Sequence, residues 1–109
     1  MDISIFAALA EPSRFQIVEL LRDGPLTVGD IAERTGLRQP QASKHLRVLS
    51  EAGLVEVNAE ANKRFYKLRQ EPFKEMEQWL ESWHRVWDER FDRLDDYLKE
   101  LQSKEKEDT

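Results

Sequence analysis

The chain has 109 residues, of which 39% are hydrophobic and 36% charged, with a net charge of −5 and no cysteine. This is the profile of one soluble, helix-rich domain with a modest core, and it excludes disulfides, thiolate metal sites and thiol redox switches. No apolar run approaches the roughly 18 residues needed to span a bilayer, and the opening Met1-Asp2-Ile3-Ser4 lacks the basic start of a secretory leader, so no membrane partner and a cytoplasmic location are expected.

Ile3, Phe6, Ala7 and Leu9 predict a short first helix. Glu11-Pro12 restarts the chain, because proline suits a first helical turn. Phe15, Ile17, Val18, Leu20 and Leu21 then supply a broad apolar face, and Asp23-Gly24-Pro25 stops that second helix. Thr27-Val28-Gly29-Asp30 opens a third helix with a capping-box pattern. Thr35-Gly36-Leu37 is a short turn in which the glycine can take a positive φ.

A fourth helix is expected from about Gln39 to Ala52, with Pro40 in its first turn. Ala42, Leu46, Leu49 and Gly53 fall on one face of it, while Gln41, Lys44, Arg47 and Glu51 lie roughly opposite. Leu54-Val55-Glu56-Val57 and Phe65-Tyr66-Lys67-Leu68 alternate like strands, so a hairpin is predicted with a long loop from Asn58 to Arg64.

Beyond Pro72 runs one long helical pattern to about Leu101. Phe73, Leu80, Trp87, Leu94 and Leu101 recur every seven residues; Met76, Trp83 and Tyr97 fill the intermediate positions, and Arg90 interrupts that second series. Phe91 and Leu98 widen the stripe. A sustained seven-residue apolar repeat is the mark of a helix that packs on a partner helix.

The acidic average hides two basic patches. Between Thr35 and Ser50 the charged residues are Arg38, Lys44 and Arg47, and between Ala61 and Gln70 they are Lys63, Arg64, Lys67 and Arg69; neither stretch holds an acid. Acids dominate from Glu71 onward. Phosphate binding responds to local charge rather than to the chain total.

Two helices joined by a short glycine-containing turn form a helix-turn-helix, and the second is long enough for a major groove, where Gln pairs with adenine and Arg or Lys with guanine. The residues expected to meet double-stranded DNA are Arg38, Gln39, Gln41, Ser43, Lys44, His45 and Arg47 on that helix, and Asn62, Lys63 and Arg64 at the hairpin tip, where a basic wing reaches phosphates or a minor groove. On the long helix, Leu80, Trp83, Trp87, Phe91, Leu94 and Leu98 are expected to pack on a partner helix.

Leu9-Ala10-Glu11-Pro12-Ser13-Arg14, Leu26-Thr27-Val28-Gly29-Asp30-Ile31-Ala32, Gln39-Pro40-Gln41-Ala42-Ser43-Lys44-His45-Leu46-Arg47-Val48-Leu49 and Glu51-Ala52-Gly53-Leu54-Val55 occur in that order. Over residues 3–69 this resembles the ArsR/SmtB family of bacterial winged-helix repressors. The resemblance implies a homodimer built from the first and last helices, with Ile3 and Phe6 joining Leu80, Trp83, Trp87, Phe91, Leu94 and Leu98 in pairing two copies, an operator with two-fold symmetry, and repression relieved by a signal. Metal-sensing members use cysteine pairs in the DNA-binding helices or Asp/His/Glu sets on the last helix. With no cysteine and a lone His84 on that helix, the chain groups with the non-metal-sensing members, and neither a metal nor another cofactor is expected. Arg38 replaces the small hydroxyl residue often found before the recognition helix, exchanging a cap for a phosphate contact.

The expected architecture is therefore mainly α with a small β-hairpin wing. A winged helix-turn-helix occupies 1–69, with 1–10 also contributing to dimerisation, a dimerisation helix occupies 70–102, and 103–109 form a disordered tail. Three other readings exist. Ser43-Lys44-His45 suggests a catalytic group, but adjacent residues on a helix do not face one another, so no enzyme is expected. Glu77, Glu81, His84 and Asp88 share one helix side and could bind a metal across the dimer, making a carboxylate and histidine metal-responsive repressor. The same fold could also serve as a protein-interaction module. An effector, small molecule or protein, is left open, and the Trp79, Trp83 and Trp87 series could line its pocket.

Overall fold

In the computed structural model, which describes residues 1–107, each early helix is started by a side chain just ahead of it. Asp2 Oδ1 accepts the Ser4 N–H at 3.0 Å and opens α1 (Ser4–Leu9). That backbone bond to the carboxylate holds the Asp2 carboxyl below its ordinary range. Glu11 caps α2 (Pro12–Leu21) by accepting the Arg14 N–H at 2.8 Å. Arg14 Nε in turn donates to the Ala8 carbonyl at 2.6 Å, so the start of α2 satisfies the end of α1.

The α2 face is narrower than its composition suggests. Ile17, Val18 and Leu21 are buried, but Phe15 is 53% exposed and Leu20 only half-buried. At about 3.6 residues per turn, Phe15 and Leu20 lie roughly a third of a turn to either side of the buried row.

Leu26 and Thr27 form a two-residue strand, β1, that residue pattern alone does not reveal. Thr27 Oγ1 then accepts the Asp30 N–H at 3.2 Å and opens α3 (Val28–Thr35). Gly36, at φ 75°, ends α3 in the left-handed conformation, where a Cβ would be strained. Thr35 steadies the turn: its hydroxyl donates to the Ile31 carbonyl at 2.7 Å and accepts the Leu37 N–H at 3.3 Å. The chain then enters α4 (Gln39–Glu51), which buries Ala42, Leu46 and Leu49 completely.

After α4 come β2 (Val55–Glu60) and β3 (Lys63–Leu68), and the sheet order is β1-β3-β2, antiparallel throughout. Leu26 pairs with Tyr66 and Thr27 with Phe65, stitching the start of α3 to the hairpin. The hairpin itself differs from expectation. Its strands zip up to the Glu60–Lys63 pair, leaving only Ala61 and Asn62 as the turn. Both have positive φ, 47° and 66°, the signature of a type I′ turn whose twist matches the strands. Asn tolerates this conformation well and Ala poorly, so composition alone points to a longer loop.

The core of this first unit, Met1–Lys74, joins Ile5 and Ala8 of α1 to Ile17, Val18, Leu21, Ile31, Ala42, Leu46, Leu49, Leu54 and Val55. Complete burial of a Leu or Ile side chain contributes roughly 1.5–3 kcal/mol. The unit runs past the expected boundary at residue 69 because Pro72, in the first turn of the next helix, is buried and Phe73 half-buried.

The last helix, α5, runs Gln70–Glu107, 38 residues or about 57 Å at 1.5 Å per residue. It continues through most of the segment expected to be a disordered tail. Glu, Lys, Gln and Ser occupy that segment with no Gly or Pro to stop the helix. Asp108 and Thr109 lie outside the described residues. From Glu75 onward the helix is a second unit. Its stripe is exposed in the single chain, from Leu80 (53%) and Trp83 (48%) through Trp87 (49%), Phe91 (62%) and Leu94 (52%) to Leu98 (47%). The aromatics order one another: Trp79 and Trp83 meet edge to face at 6.1 Å, Trp87 and Phe91 lie 6.1 Å apart, and the Arg90 guanidinium stacks 5.4 Å above the Trp87 ring. Arg90 thus covers part of the stripe it interrupts in sequence. No described helix is long and apolar enough to cross a membrane.

Candidate nucleic-acid interface

The turn at Gly36 sets α3 and α4 at a defined angle, and the pattern that buries Ala42, Leu46 and Leu49 turns the opposite side of α4 outward. Arg38, Gln39, Gln41, Ser43, Lys44 and Arg47 are all exposed there. Asn62, Lys63 and Arg64 are exposed at the tip of the β2–β3 hairpin. One folded unit therefore presents both basic patches.

The helix entrance solves its capping problem without a hydroxyl. A guanidinium has no acceptor, so Arg38 cannot cap the first turn of α4. The reciprocal half of the box is made instead, with Gln41 Oε1 accepting the Arg38 N–H at 3.1 Å. Gln41 is thereby held at the helix start with its amide N–H groups left to donate.

Ion pairing sorts the cations. Arg47 Nε is 3.3 Å from Glu51, Lys67 Nζ is 3.2 Å from Glu56, and Arg69 Nε is 3.7 Å from Glu71. Among the described residues, Arg38, Lys44, Lys63 and Arg64 have no acid within 4.0 Å. Cross-strand register separates the last two further. Lys63 is opposite Glu60, whereas Arg64 is opposite Ala59. Successive strand residues also point to opposite faces, so the two cations flank the wing rather than crowd one side. A cleft of about 360 Å³ lies between the start of α3 and the wing, lined by Thr27, Val28, Asp30, Lys63, Arg64 and Phe65.

His45 behaves differently from its neighbours on α4. Its side chain is only 21% exposed, and Nδ1 lies 3.7 Å from Glu11 Oε2 at the start of α2. The structure seats it toward α2 rather than among the outward residues.

At α1, Ile3 is 79% exposed and Phe6 38%, while Ile5 and Ala8 take the inner side. Glu77, Glu81, His84 and Asp88 form no metal-holding cluster: among the described residues no three His, Asp or Glu side chains come together in that way.

A family model described as a helix-turn-helix domain matches residues 9–58. The transcriptional repressor SdpR of Bacillus subtilis is 30% identical over 77 residues, covering 71% of this chain and 86% of that one. The crystal structure of an ArsR family transcriptional regulator, RHA00566, superposes with a TM-score of 0.68 at 30% identity, covering 78% of this chain and 88% of its own. The chain belongs to the ArsR family of winged helix-turn-helix transcriptional regulators.

As an ArsR-family regulator it is a DNA-binding protein, and its exposed α4 face and hairpin correspond to the helix-turn-helix and wing of that fold. The solution structure of Mb0332 from Mycobacterium bovis, a homodimeric winged helix-turn-helix DNA-binding domain, is similar at a TM-score of 0.62 and 32% identity, covering 72% of this chain and 73% of that one. Several other curated relatives are matched over only about half of their own length.

Proposed function

We propose that this ArsR-family regulator represses a promoter as a homodimer, with two copies of α4 entering successive major grooves of a two-fold symmetric operator. The observation that carries this reading is a set of cations that have no acid within 4.0 Å among the described residues, Arg38 with Lys44 on α4 and Lys63 with Arg64 on the wing, presented by one folded unit. Gln39, Gln41, Ser43 and Lys44 read base edges, while Arg38, Arg47, Lys63 and Arg64 hold phosphates; Asn62 shapes the wing tip. The working site is the cytoplasm, beside the DNA, and the activity is binding with no chemical step.

Pairing of two copies follows from the α5 stripe. A surface running from Leu80 to Leu101 with Trp83, Trp87, Phe91 and Leu94 exposed is a larger apolar face than a monomer ordinarily leaves in water. A second copy covers it with an identical stripe, and Ile3 and Phe6, exposed at α1, are further pairing residues in this reading. Mb0332, a homodimer, supports the same assembly here. Recognition helices one helical turn apart, roughly 34 Å, would then meet one side of the duplex.

The test is a mobility shift on the region upstream of the protein's own gene, followed by a salt titration. With Arg38, Arg47, Lys63 and Arg64 on phosphates in both copies, the slope of log affinity against log salt should be on the order of −7. A salt-independent interaction, or no preference for the upstream region over random duplex, would remove the proposal. A promoter reporter separates repression from activation.

A further inference from the structure

We propose that His45 is a positioning residue that seats the recognition helix on α2 through Glu11, and not a DNA contact. The proposal rests on the reading that α4 is the helix that enters the groove. Three observations carry it. His45 is largely withdrawn from solvent, while Lys44 beside it and Arg47 half a turn on are exposed. Its Nδ1 lies 3.7 Å from Glu11 Oε2. That same oxygen is immobilised, because it caps α2 by accepting the Arg14 N–H at 2.8 Å.

The contact is one link in a chain of three helices. Arg14 binds the Ala8 carbonyl at 2.6 Å and the Ala7 carbonyl at 3.5 Å, Glu11 caps the turn that carries Arg14, and His45 reaches that cap from α4. A shift of α4 against α2 would carry Arg38 and Lys44 with it, so the seat presets the face that meets DNA.

At 3.7 Å a neutral imidazole makes no hydrogen bond to the carboxylate, whereas a protonated one is attracted to it by charge. The seat therefore tightens as pH falls and loosens as it rises. Among the described residues, no acid other than Glu11 lies within 4.0 Å of the His45 ring nitrogens. On α2, the Arg14 guanidinium is turned to the α1 carbonyls. On α4, Arg47 is held by Glu51 and Lys44 is exposed. On α3, Asp30, Glu33 and Arg34 are exposed, on α1 there is no ionisable side chain, and on β2 Glu56 is held by Lys67.

The chain has only two histidines, His45 and His84, which makes the test clean. Full-length wild type, Glu11→Gln, His45→Gln, the double variant and His84→Gln are compared at about pH 6 and about pH 8, a span in which a histidine side chain can change its charge. Affinity is measured for a duplex selected by the wild type from a randomised pool, and stability by urea unfolding without DNA. Gln at position 11 keeps an acceptor for the Arg14 N–H while removing the charge.

The wild type should bind about two- to fivefold tighter at the lower pH, relative to the change shown by Glu11→Gln, the size of a partly exposed ion pair. His45→Gln and the double variant should match Glu11→Gln, and His84→Gln should match the wild type. The urea midpoints should follow the same pattern. If Glu11→Gln keeps the wild-type pH response while His45→Gln loses it, His45 touches DNA and the proposal is overturned. If both keep it, the pair contributes nothing. If only the urea midpoints respond, the contact is a brace without influence on DNA. Failure to select any duplex would instead strike the DNA reading, and the urea arm would still decide whether the ion pair exists.

Discussion

Arg47 and Glu51 are joined one turn apart on the outer side of α4, Nε to Oε1 at 3.3 Å, with both side chains mostly in solvent. Glu51 is the only acid on α4. An exposed pair of this spacing stabilises a helix by only about 0.3–0.5 kcal/mol. Against a phosphate, however, the same carboxylate both competes for Arg47 and repels the ligand. Glu51→Gln is expected to bind operator DNA several-fold tighter at low salt, with the gain fading as salt is raised, at a stability cost below about 0.5 kcal/mol. Fluorescence anisotropy across a salt series checks this, and unchanged affinity would take Arg47 off the DNA backbone.

The wing turn makes a second expectation. Ala61 and Asn62 both occupy positive φ, where only Asn is at ease. Replacing the pair by Asn-Gly should stabilise the fold by about 0.5–1 kcal/mol, through the turn's preferred residues. Asn62→Val should lower stability by about 1–2 kcal/mol. Urea midpoints decide, and a neutral Asn62→Val would contradict the two-residue turn.

Wing cations should not be equivalent. Lys67 is held by Glu56 at 3.2 Å, while Arg64 stands opposite Ala59 with no acid within 4.0 Å among the described residues. Arg64→Ala should therefore reduce the salt slope by about 1 per wing, and Lys67→Ala should leave it nearly unchanged. Equal effects in a salt titration would mean that the Lys67–Glu56 pair opens on DNA.

Trp87 and Leu94 are about half exposed in the single chain, so charge at either place should cost the fold of the first unit little. Pairing is another matter, since burying a carboxylate in an apolar seam is strongly unfavourable. The Trp87→Glu and Leu94→Glu double variant should sediment as a monomer at micromolar concentration and lose operator binding, with helix content retained. A dimer that persists would free α5 from its assigned role.

Ala42, Leu46 and Leu49, the proline and glycine punctuation, and the seven-residue repeat of α5 were all readable beforehand, because helix periodicity, caps and turns are written in residues close together along the chain. So were the two basic patches and the resemblance to ArsR regulators. Other features were not. Leu26 and Thr27 are too short a run to announce a strand, and only Tyr66 and Phe65, far along the chain, make them one. The polar ends of β2 and β3 look like loop until strand pairing carries them to the Ala61–Asn62 turn.

The cations were countable in advance, but their partners were not. Whether Lys67 or Arg64 is left without an acid depends on which residues stand across the hairpin, and whether His45 faces a groove or a neighbouring helix depends on where α2 sets Glu11. Local order is encoded by near neighbours. Charge compensation and burial are decided by contacts between segments that meet only when the chain has folded.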